Sequence, residues 1–368
     1  MTVKETEDVL RHVKPAVRGV GAYTLAAREA AVKINQNENP YDLPESLKRR
    51  VVEAALARPW SRYPAFDPRD LIAALARFSG WREDGILAGN GSNELIEALL
   101  LVTVGPGTRV VIPEPTFTLY ALMTRILGGE AVRVGLGPDL EYDVPGVARA
   151  RREAEAPVTI VCSPNNPTGG LFPAGAVEAL CREADGLVVV DEAYHEFSGE
   201  TVVPLLASHP NLVVLRTFSK AMGFAGGRVG YLLASPDLVR EVNKARLPYN
   251  LNFFSELAAR ATIDEWGSLR QTVERLVAAR EDLLDRLRRV PGIRPYPSRA
   301  NFFLIEFLEA DPKAVFEALH RRGVLVRDVT SYPRLARCLR VSVGSEAENA
   351  VFLEALHEAL SEAAEGRR

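Results

Sequence analysis

The chain has 368 residues, with 45 basic and 48 acidic side chains and a formal net charge of −3. Such near-neutrality leaves no basic footprint for nucleic acid, and 47% apolar against 25% charged residues is the balance of a globular chain with a sizeable core. No run of about 18 uncharged apolar residues predicts a membrane span, the charged segment Met1–Arg18 lacks an apolar signal core, and a cytoplasmic location is expected.

The first clear element is Asp67–Ser79, whose apolar spacing predicts a helix. The chain then alternates. Short β-branched runs at Ile86–Ala88, Arg109–Ile112, Val158–Cys162, Leu187–Val190 and Leu212–Leu215 predict strands. Helical patterns such as Glu94–Val102 and Ala174–Ala184 follow several of them. Continuous apolar strands alternating with helices predict an α/β fold with a mainly parallel sheet covered on both faces. Arg228–Ala234 is a further strand, close enough to its predecessor to run antiparallel. A long helical region spans Ser255 to Val290. After Pro291, strands at Asn301–Phe307, Gly323–Val326 and Cys338–Val343 with a helix at Pro312–Arg321 predict a smaller α+β domain, near which the N-terminal arm is expected to pack.

Cys162, Cys181 and Cys338 form no CxxC pair, and no two of the five histidines stand four residues apart, so neither a disulfide framework nor a metal site is expected. Lysine is scarce. Only seven of the 45 basic residues are Lys, and Lys220 is alone between Lys48 and Lys244.

In an open α/β sheet, ligands bind beyond the carboxyl ends of the strands. The residues after each predicted strand therefore matter most. Gly89-Asn90-Gly91-Ser92-Asn93 opens a helix with small residues, as a phosphate cradle or as a tight turn capped by Ser92 or Asn93. It is no dinucleotide fingerprint, because Glu94 stands at the third glycine position, and no P-loop, because no Lys follows. The loop Ser163–Gly170, rich in Pro and Gly, holds Asn166 near a strand end. Asp191 directly follows four apolar residues, so its carboxylate needs a cationic partner or hydrogen bonds, and a structural Arg is one option. Arg216-Thr217-Phe218-Ser219-Lys220 ends another strand, and small residues lead on to Arg228. A Lys desolvated near other cations has a lowered pKa and becomes an imine-forming amine.

Pyridoxal phosphate unites these features. It needs an amine for a Schiff base, an acid at its pyridine nitrogen and a phosphate cradle. Lys220 supplies the amine and Asp191 the acid. Gly91, Ser92 and Asn93 hold the phosphate with Thr217, Ser219 and Arg228. Asn166 and Tyr194 hydrogen-bond the phenolic oxygen.

At this point the chain resembles the fold-type I pyridoxal-phosphate aminotransferases, and within them the histidinol-phosphate aminotransferase family. The matching motifs run in order through nearly the whole chain. They are Asn37-Glu38-Asn39-Pro40-Tyr41, Arg62-Tyr63-Pro64, GNGSNELI from Gly89, PEPTFTLY from Pro113, CSPNNPTGG from Cys162, VVVDEAYHEF from Val188, TFSKAMGFAGGRVGY from Thr217 and VRDVTSYPRLARCLRVSVG from Val326.

The resemblance implies a large domain built on a mainly parallel seven-stranded sheet plus a smaller α+β domain. Residues 1–48 would form the arm and part of the small domain, 49–262 the large cofactor-binding domain, and 263–368 a linking helix and the C-terminal small domain. It implies Lys220, Asp191 and Tyr194 as catalytic residues, and Phe117 stacked on the cofactor ring. Tyr63 would reach the cofactor phosphate of the neighbouring subunit of a homodimer. Arg340 would meet the substrate α-carboxylate. Arg327 would meet the phosphate of histidinol phosphate or the distal carboxylate of glutamate. Asn166 and Tyr23 complete the substrate contacts. The implied reaction moves an amino group between histidinol phosphate and 2-oxoglutarate in histidine biosynthesis. An aromatic aminotransferase and an amino-acid phosphate decarboxylase on the same fold are the rival activities. A non-catalytic binding protein is opposed by Lys220, Asp191 and Arg228 occurring together. The chain departs from the family pattern at Asp42, Asn93 and Gly227.

Overall fold

A computed structural model of the chain describes residues 9–21, 28–183 and 185–365. The first strand is β1 (Val32–Lys33). The next seven are β2 (Ile86–Gly89), β3 (Arg109–Glu114), β4 (Glu130–Gly135), β5 (Val158–Cys162), β6 (Leu187–Asp191), β7 (Leu212–Thr217) and β8 (Gly230–Leu233). They form one seven-stranded sheet in the order β2-β8-β7-β6-β5-β3-β4. All neighbours are parallel except β8, which runs antiparallel to both β2 and β7. The β5 prediction matches residue for residue, and the others shift by a few residues. β4 was not foreseen, because its sequence EAVRVG is charged and half-exposed at the sheet edge.

Both faces of the sheet are covered. On β6, Val188 and Val190 join one apolar cluster and Val189 joins another. On β7, Leu212 and Val214 join the first, Val213 and Leu215 the second. Full burial of each such side chain contributes roughly 1.5–3 kcal/mol, so this layer holds the strands in register. The two-residue period continues past the apolar run. It places Asp191 and Thr217 on the face of the second cluster, and Glu192 and Arg216 on the face of the first.

The chain moves outward from β3 to the edge strand β4, then returns to β5 and proceeds the other way through β6 and β7. The direction reverses between β3 and β5, which is where a ligand crevice opens in such sheets. Asn165, just after β5, spans this point. Its Nδ2 donates to the Pro115 carbonyl at 2.9 Å and its Oδ1 accepts from Thr116 Oγ1 at 2.7 Å.

The region predicted as one long helix is two, Phe253–Asp264 and Trp266–Leu287, separated at Glu265. The expected boundary at residue 262 falls inside the first of them. Beyond it lie β9 (Ile293–Pro295), β10 (Phe302–Phe307), β11 (Val324–Leu325), β12 (Arg327–Asp328) and β13 (Cys338–Ser342). An antiparallel sheet of order β12-β13-β10-β9 packs with the helices Pro312–Arg321 and Glu346–Glu365 around Phe302, Phe303 and Phe352. The predicted strand at 323–326 does not join this sheet. It is β11 and pairs in parallel with β1, which ties the N-terminal segment to the C-terminal region.

On the face opposite Asp191, Glu192 and Arg216 form a buried ion pair. Arg216 Nε and Nη2 both donate to Glu192 Oε2, at 3.0 and 2.9 Å. Glu192 also accepts from Thr201 Oγ1 and from the Val202 backbone N–H. This fully bonded pair latches the ends of β6 and β7. Glu192→Gln leaves the guanidinium buried without its counter-charge and is expected to cost about 3 kcal/mol in urea unfolding. Glu192→Gln with Arg216→Met, which strands no charge, is expected to cost less than Glu192→Gln alone.

Candidate active site

The loop after β7 shows how the sheet delivers its chemistry. Phe218 is buried and anchors it, with backbone bonds from Phe218 N–H to the Val229 carbonyl and from Phe224 N–H to the Phe218 carbonyl. Between these pins Ser219 and Lys220 turn into a cleft of about 430 Å³. Ser92, Asn93, Phe117, Asn166, Asp191, Tyr194, Thr217, Arg228, Arg327 and Arg340 also line it.

Lys220 Nζ donates to the Gln36 carbonyl at 2.9 Å and lies 5.8 Å from the centre of the Tyr194 ring. Burial, and next the nearby Arg340, lowers its pKa from 10.5 to about 8. Asp191 is 3% exposed. The structural Arg allowed for at this acid belongs instead to Glu192. Asp191 Oδ2 accepts from Tyr120 Oη at 2.6 Å, and Oδ1 from the Ala193 N–H at 3.0 Å. Among the described residues no cation pairs with it. Burial raises its pKa to about 6, against the opposing pull of those two hydrogen bonds. A protonated pyridine nitrogen is the kind of cation this carboxylate lacks.

The other end of the cleft gathers groups that can receive an anion. Helix Ser92–Thr103 begins here with Gly91 at its N-cap, and no side chain caps it. The expectation that Ser92 or Asn93 would cap the turn is not met, so the first backbone N–H groups keep their capacity for an anion. Gly91 has φ +82°, and a Cβ there would stand 2.5 Å from Arg228 Nη2. Gly91 thus borders Arg228 without itself lining the cleft. Arg228 has φ +54° and donates to Ser219 Oγ at 3.2 Å. Thr217 Oγ1 lies 3.0 Å from the same oxygen. These groups converge because β8 runs antiparallel beside β2, pairing Gly230 with Gly89.

Arg327 and Arg340 face each other across β12 and β13. Arg340 donates to Asn166 Oδ1 at 2.6 Å and to the Asn35 carbonyl at 2.7 Å. Tyr194 Oη accepts from Asn37 Nδ2 at 3.0 Å, which leaves its own proton to donate. Burial raises its pKa. Four cationic side chains, Lys220, Arg228, Arg327 and Arg340, share the cleft with two acids, Asp191 and Glu38, and this excess suits an anionic substrate.

Tyr63 lies elsewhere. It is 80% exposed and stacks on Tyr249 with ring centroids 4.5 Å apart. Tyr23 lies outside the described residues. Sequence reasoning assigned no role to Gln36, Asn37, Glu38, Tyr120 or Tyr332, all of which line the cleft. All but Gln36 lie inside quoted motifs, but a motif does not say which of its side chains turn inward. Of the departures, Asn93 lines the cleft, while Asp42 pairs with Lys48 at 2.6 Å and does not line it. At Gly227 a Cβ would stand 1.9 Å from the Phe224 ring, so that ring fills the place of a side chain at 227.

The aminotransferase class I and II family model matches residues 29–356. A histidinol-phosphate aminotransferase of Chlorobium phaeovibrioides is 37% identical over 95% of this chain and 97% of its own length. Histidinol-phosphate aminotransferase 2 of Nitrosococcus oceani is 38% identical, again over 95% and 97%. The crystal structure of histidinol-phosphate aminotransferase from Sinorhizobium meliloti in complex with pyridoxal-5′-phosphate superposes with a TM-score of 0.86 at 26% identity, covering 95% of this chain and 98% of that one.

The electrostatics make the reactivity of Lys220 predictable. Its amine is neutral above about pH 8, not above 10.5. Labelling of the protein, prepared free of small-molecule aldehydes, with trinitrobenzenesulfonate should give a Lys220 rate that rises with a midpoint near pH 8, read by peptide mass spectrometry. Arg340→Met removes a neighbouring positive charge and should move that midpoint upward. An unchanged midpoint would leave burial as the whole cause.

Proposed function

The chain belongs to the class I and II aminotransferases, and we propose that it moves an amino group between histidinol phosphate and 2-oxoglutarate in L-histidine biosynthesis, with pyridoxal 5′-phosphate as its cofactor. One observation carries this reading. A half-buried lysine with a lowered pKa, a buried acid that no cation among the described residues pairs with, and an uncapped helix N-terminus beside Arg228 share one cleft with a pair of arginines.

The cofactor, when bound, supplies an electron-withdrawing ring that acidifies the hydrogen on the substrate Cα. This chain's residues do the rest. Lys220 is the attachment point and then the base that takes the proton from Cα of the amino donor and, in the opposite half-reaction, delivers one to Cα of the amino acid formed. Asp191 holds a proton on the ring nitrogen, Phe117 covers the ring face, and Tyr194 and Asn166 bond the ring's phenolic oxygen. Gly91, Ser92, Asn93, Thr217, Ser219 and Arg228 receive the phosphate. Arg340 pairs with the α-carboxylate of glutamate. Arg327 takes its distal carboxylate or the phosphate of histidinol phosphate, since planar guanidinium groups accept either anion in bidentate fashion.

The second half of the proposal is a homodimer. Trp60, Tyr63, Phe66, Tyr249 and Phe254 are all exposed, and their rings meet in two groups, Trp60 with Phe254 and Tyr249 with Tyr63 and Phe66, which supply an exposed aromatic surface. A second copy of the chain covers it, and Tyr63 reaches the phosphate of the partner's cofactor. Among the described residues no helix is long and apolar enough to cross a membrane, and we place the reaction in the cytoplasm.

Mixing the cofactor-loaded protein with histidinol phosphate should abolish the visible absorption of the lysine-bound cofactor rapidly, and phenylalanine should act far more slowly. A faster response to phenylalanine would assign the pocket to aromatic substrates, and release of carbon dioxide from a phosphorylated amino acid would assign it to decarboxylation. Lys220→Ala should keep the fold and lose turnover by on the order of 10⁴-fold. Arg327→Gln should lower kcat/KM for both physiological substrates by roughly 10²-fold while the reactivity of Lys220 stays unchanged. Sedimentation should give twice the chain mass of 40.3 kDa. Tyr63→Phe should weaken cofactor retention without dissociating the dimer.

A further inference from the structure

We infer that Tyr120 is the positioning residue that sets the orientation and charge of Asp191. This inference rests on the cofactor placement proposed above and adds a residue to it. Tyr120 is fully buried, and its hydroxyl donates to Asp191 Oδ2 at 2.6 Å. Its ring meets Phe117 edge-on, at 5.5 Å and 85°. Both residues come from a single turn after β3, closed by a bond from Tyr120 N–H to the Phe117 carbonyl at 3.4 Å. One rigid turn thus delivers the side chain that covers the ring and the hydroxyl that holds the acid beneath it.

The direction of the effect follows from the surroundings. The titratable groups around Asp191 are Tyr120, Tyr142, Cys162, Glu192 and Tyr194. Glu192 is occupied by Arg216, and burial keeps the Cys162 thiol and the three phenols protonated. Among the described residues, then, the carboxylate is stabilised only by the Tyr120 hydroxyl and the Ala193 N–H. A short bond from a buried hydroxyl to an ionised oxygen is among the stronger neutral-to-charged kind. Without it the shared proton moves from the ring nitrogen toward Asp191, and the ring withdraws electrons less well.

Ring-¹⁵N-labelled pyridoxal phosphate, loaded onto the intact protein, reports this directly, because the nitrogen signal separates pyridine from pyridinium. Tyr120→Phe removes one oxygen. It should lower the pyridinium fraction at neutral pH and reduce kcat by roughly tenfold. Incorporating 3-fluorotyrosine at position 120, a stronger donor of nearly the same size, should raise that fraction. A packing role alone predicts no such opposition. Equal nitrogen signals in all three proteins would overturn the inference. If the nitrogen is unprotonated in the unaltered protein and borohydride fails to fix the cofactor to Lys220, the cofactor placement itself falls, and this inference falls with it.

Discussion

The site is organised around a buried carboxylate, Asp191, that no cation among the described residues pairs with. Asp191 and Glu192 are consecutive acids at the end of the same strand, and both are almost fully buried. The strand period sends them to opposite faces. Glu192 meets a guanidinium and becomes a structural latch. Among the described residues, Asp191 is bonded by a phenol and a backbone amide. Desolvating a lone carboxylate is expensive, so the fold bears an unfavourable charge that, on the proposed reading, the cofactor's ring nitrogen offsets. Lys220 repeats the same logic with opposite sign, because burial and Arg340 favour its neutral form. Neither group has the other as its partner.

The end of the cleft proposed to hold the cofactor phosphate depends on topology. A purely parallel sheet would carry Arg228 to the far side of a crossover. Because β8 turns back antiparallel, Gly230 lies against Ser92, and a Cβ there would meet the Ser92 nitrogen at 2.3 Å. That close approach brings Arg228 alongside Gly91. The glycine turn and the arginine, over a hundred residues apart in sequence, become two walls of one cradle. Arg228 occupies a left-handed backbone conformation that costs an ordinary residue on the order of 1–3 kcal/mol and persists only where the surroundings over-determine it.

The inner strands were legible in the sequence because burial on both faces demands uninterrupted β-branched residues, as in Leu187-Val188-Val189-Val190. Edge strand β4 was not, since its exposed charges Glu130 and Arg133 fall on opposite faces and break any apolar alternation. The helix break at Glu265 has no proline or glycine before it to mark it. The pairing of β1 with β11 joins segments about 290 residues apart through two residues each, and two residues carry no period. In the site, residues with distinctive chemistry at strand ends were found, Lys220 through sheer scarcity. Tyr120 was passed over because one turn of helix hides a polar tip inside an apolar pattern, and Gln36 because its backbone carbonyl, not its side chain, meets Lys220.

The arginine pair proposed to bind the substrate poses a related electrostatic problem. Arg327 and Arg340 stand directly opposite in an antiparallel pair, where like charges on one face repel. Arg340 is steadied by Asn166 and by the Asn35 carbonyl, and its guanidinium lies 5.3 Å from the centre of the Phe302 ring. Those contacts offset its charge without neutralising it. Among the described residues Arg327 makes no ion pair. An acid placed between the two would relieve the repulsion and stabilise the empty protein, but it would also fill the place of the substrate anion. On the proposed reading, the repulsion is relieved by a phosphate in one half-reaction and by carboxylates in the other. A pocket that must accept both gains from two guanidinium groups side by side, because each can pair in bidentate fashion with a phosphate or with a carboxylate.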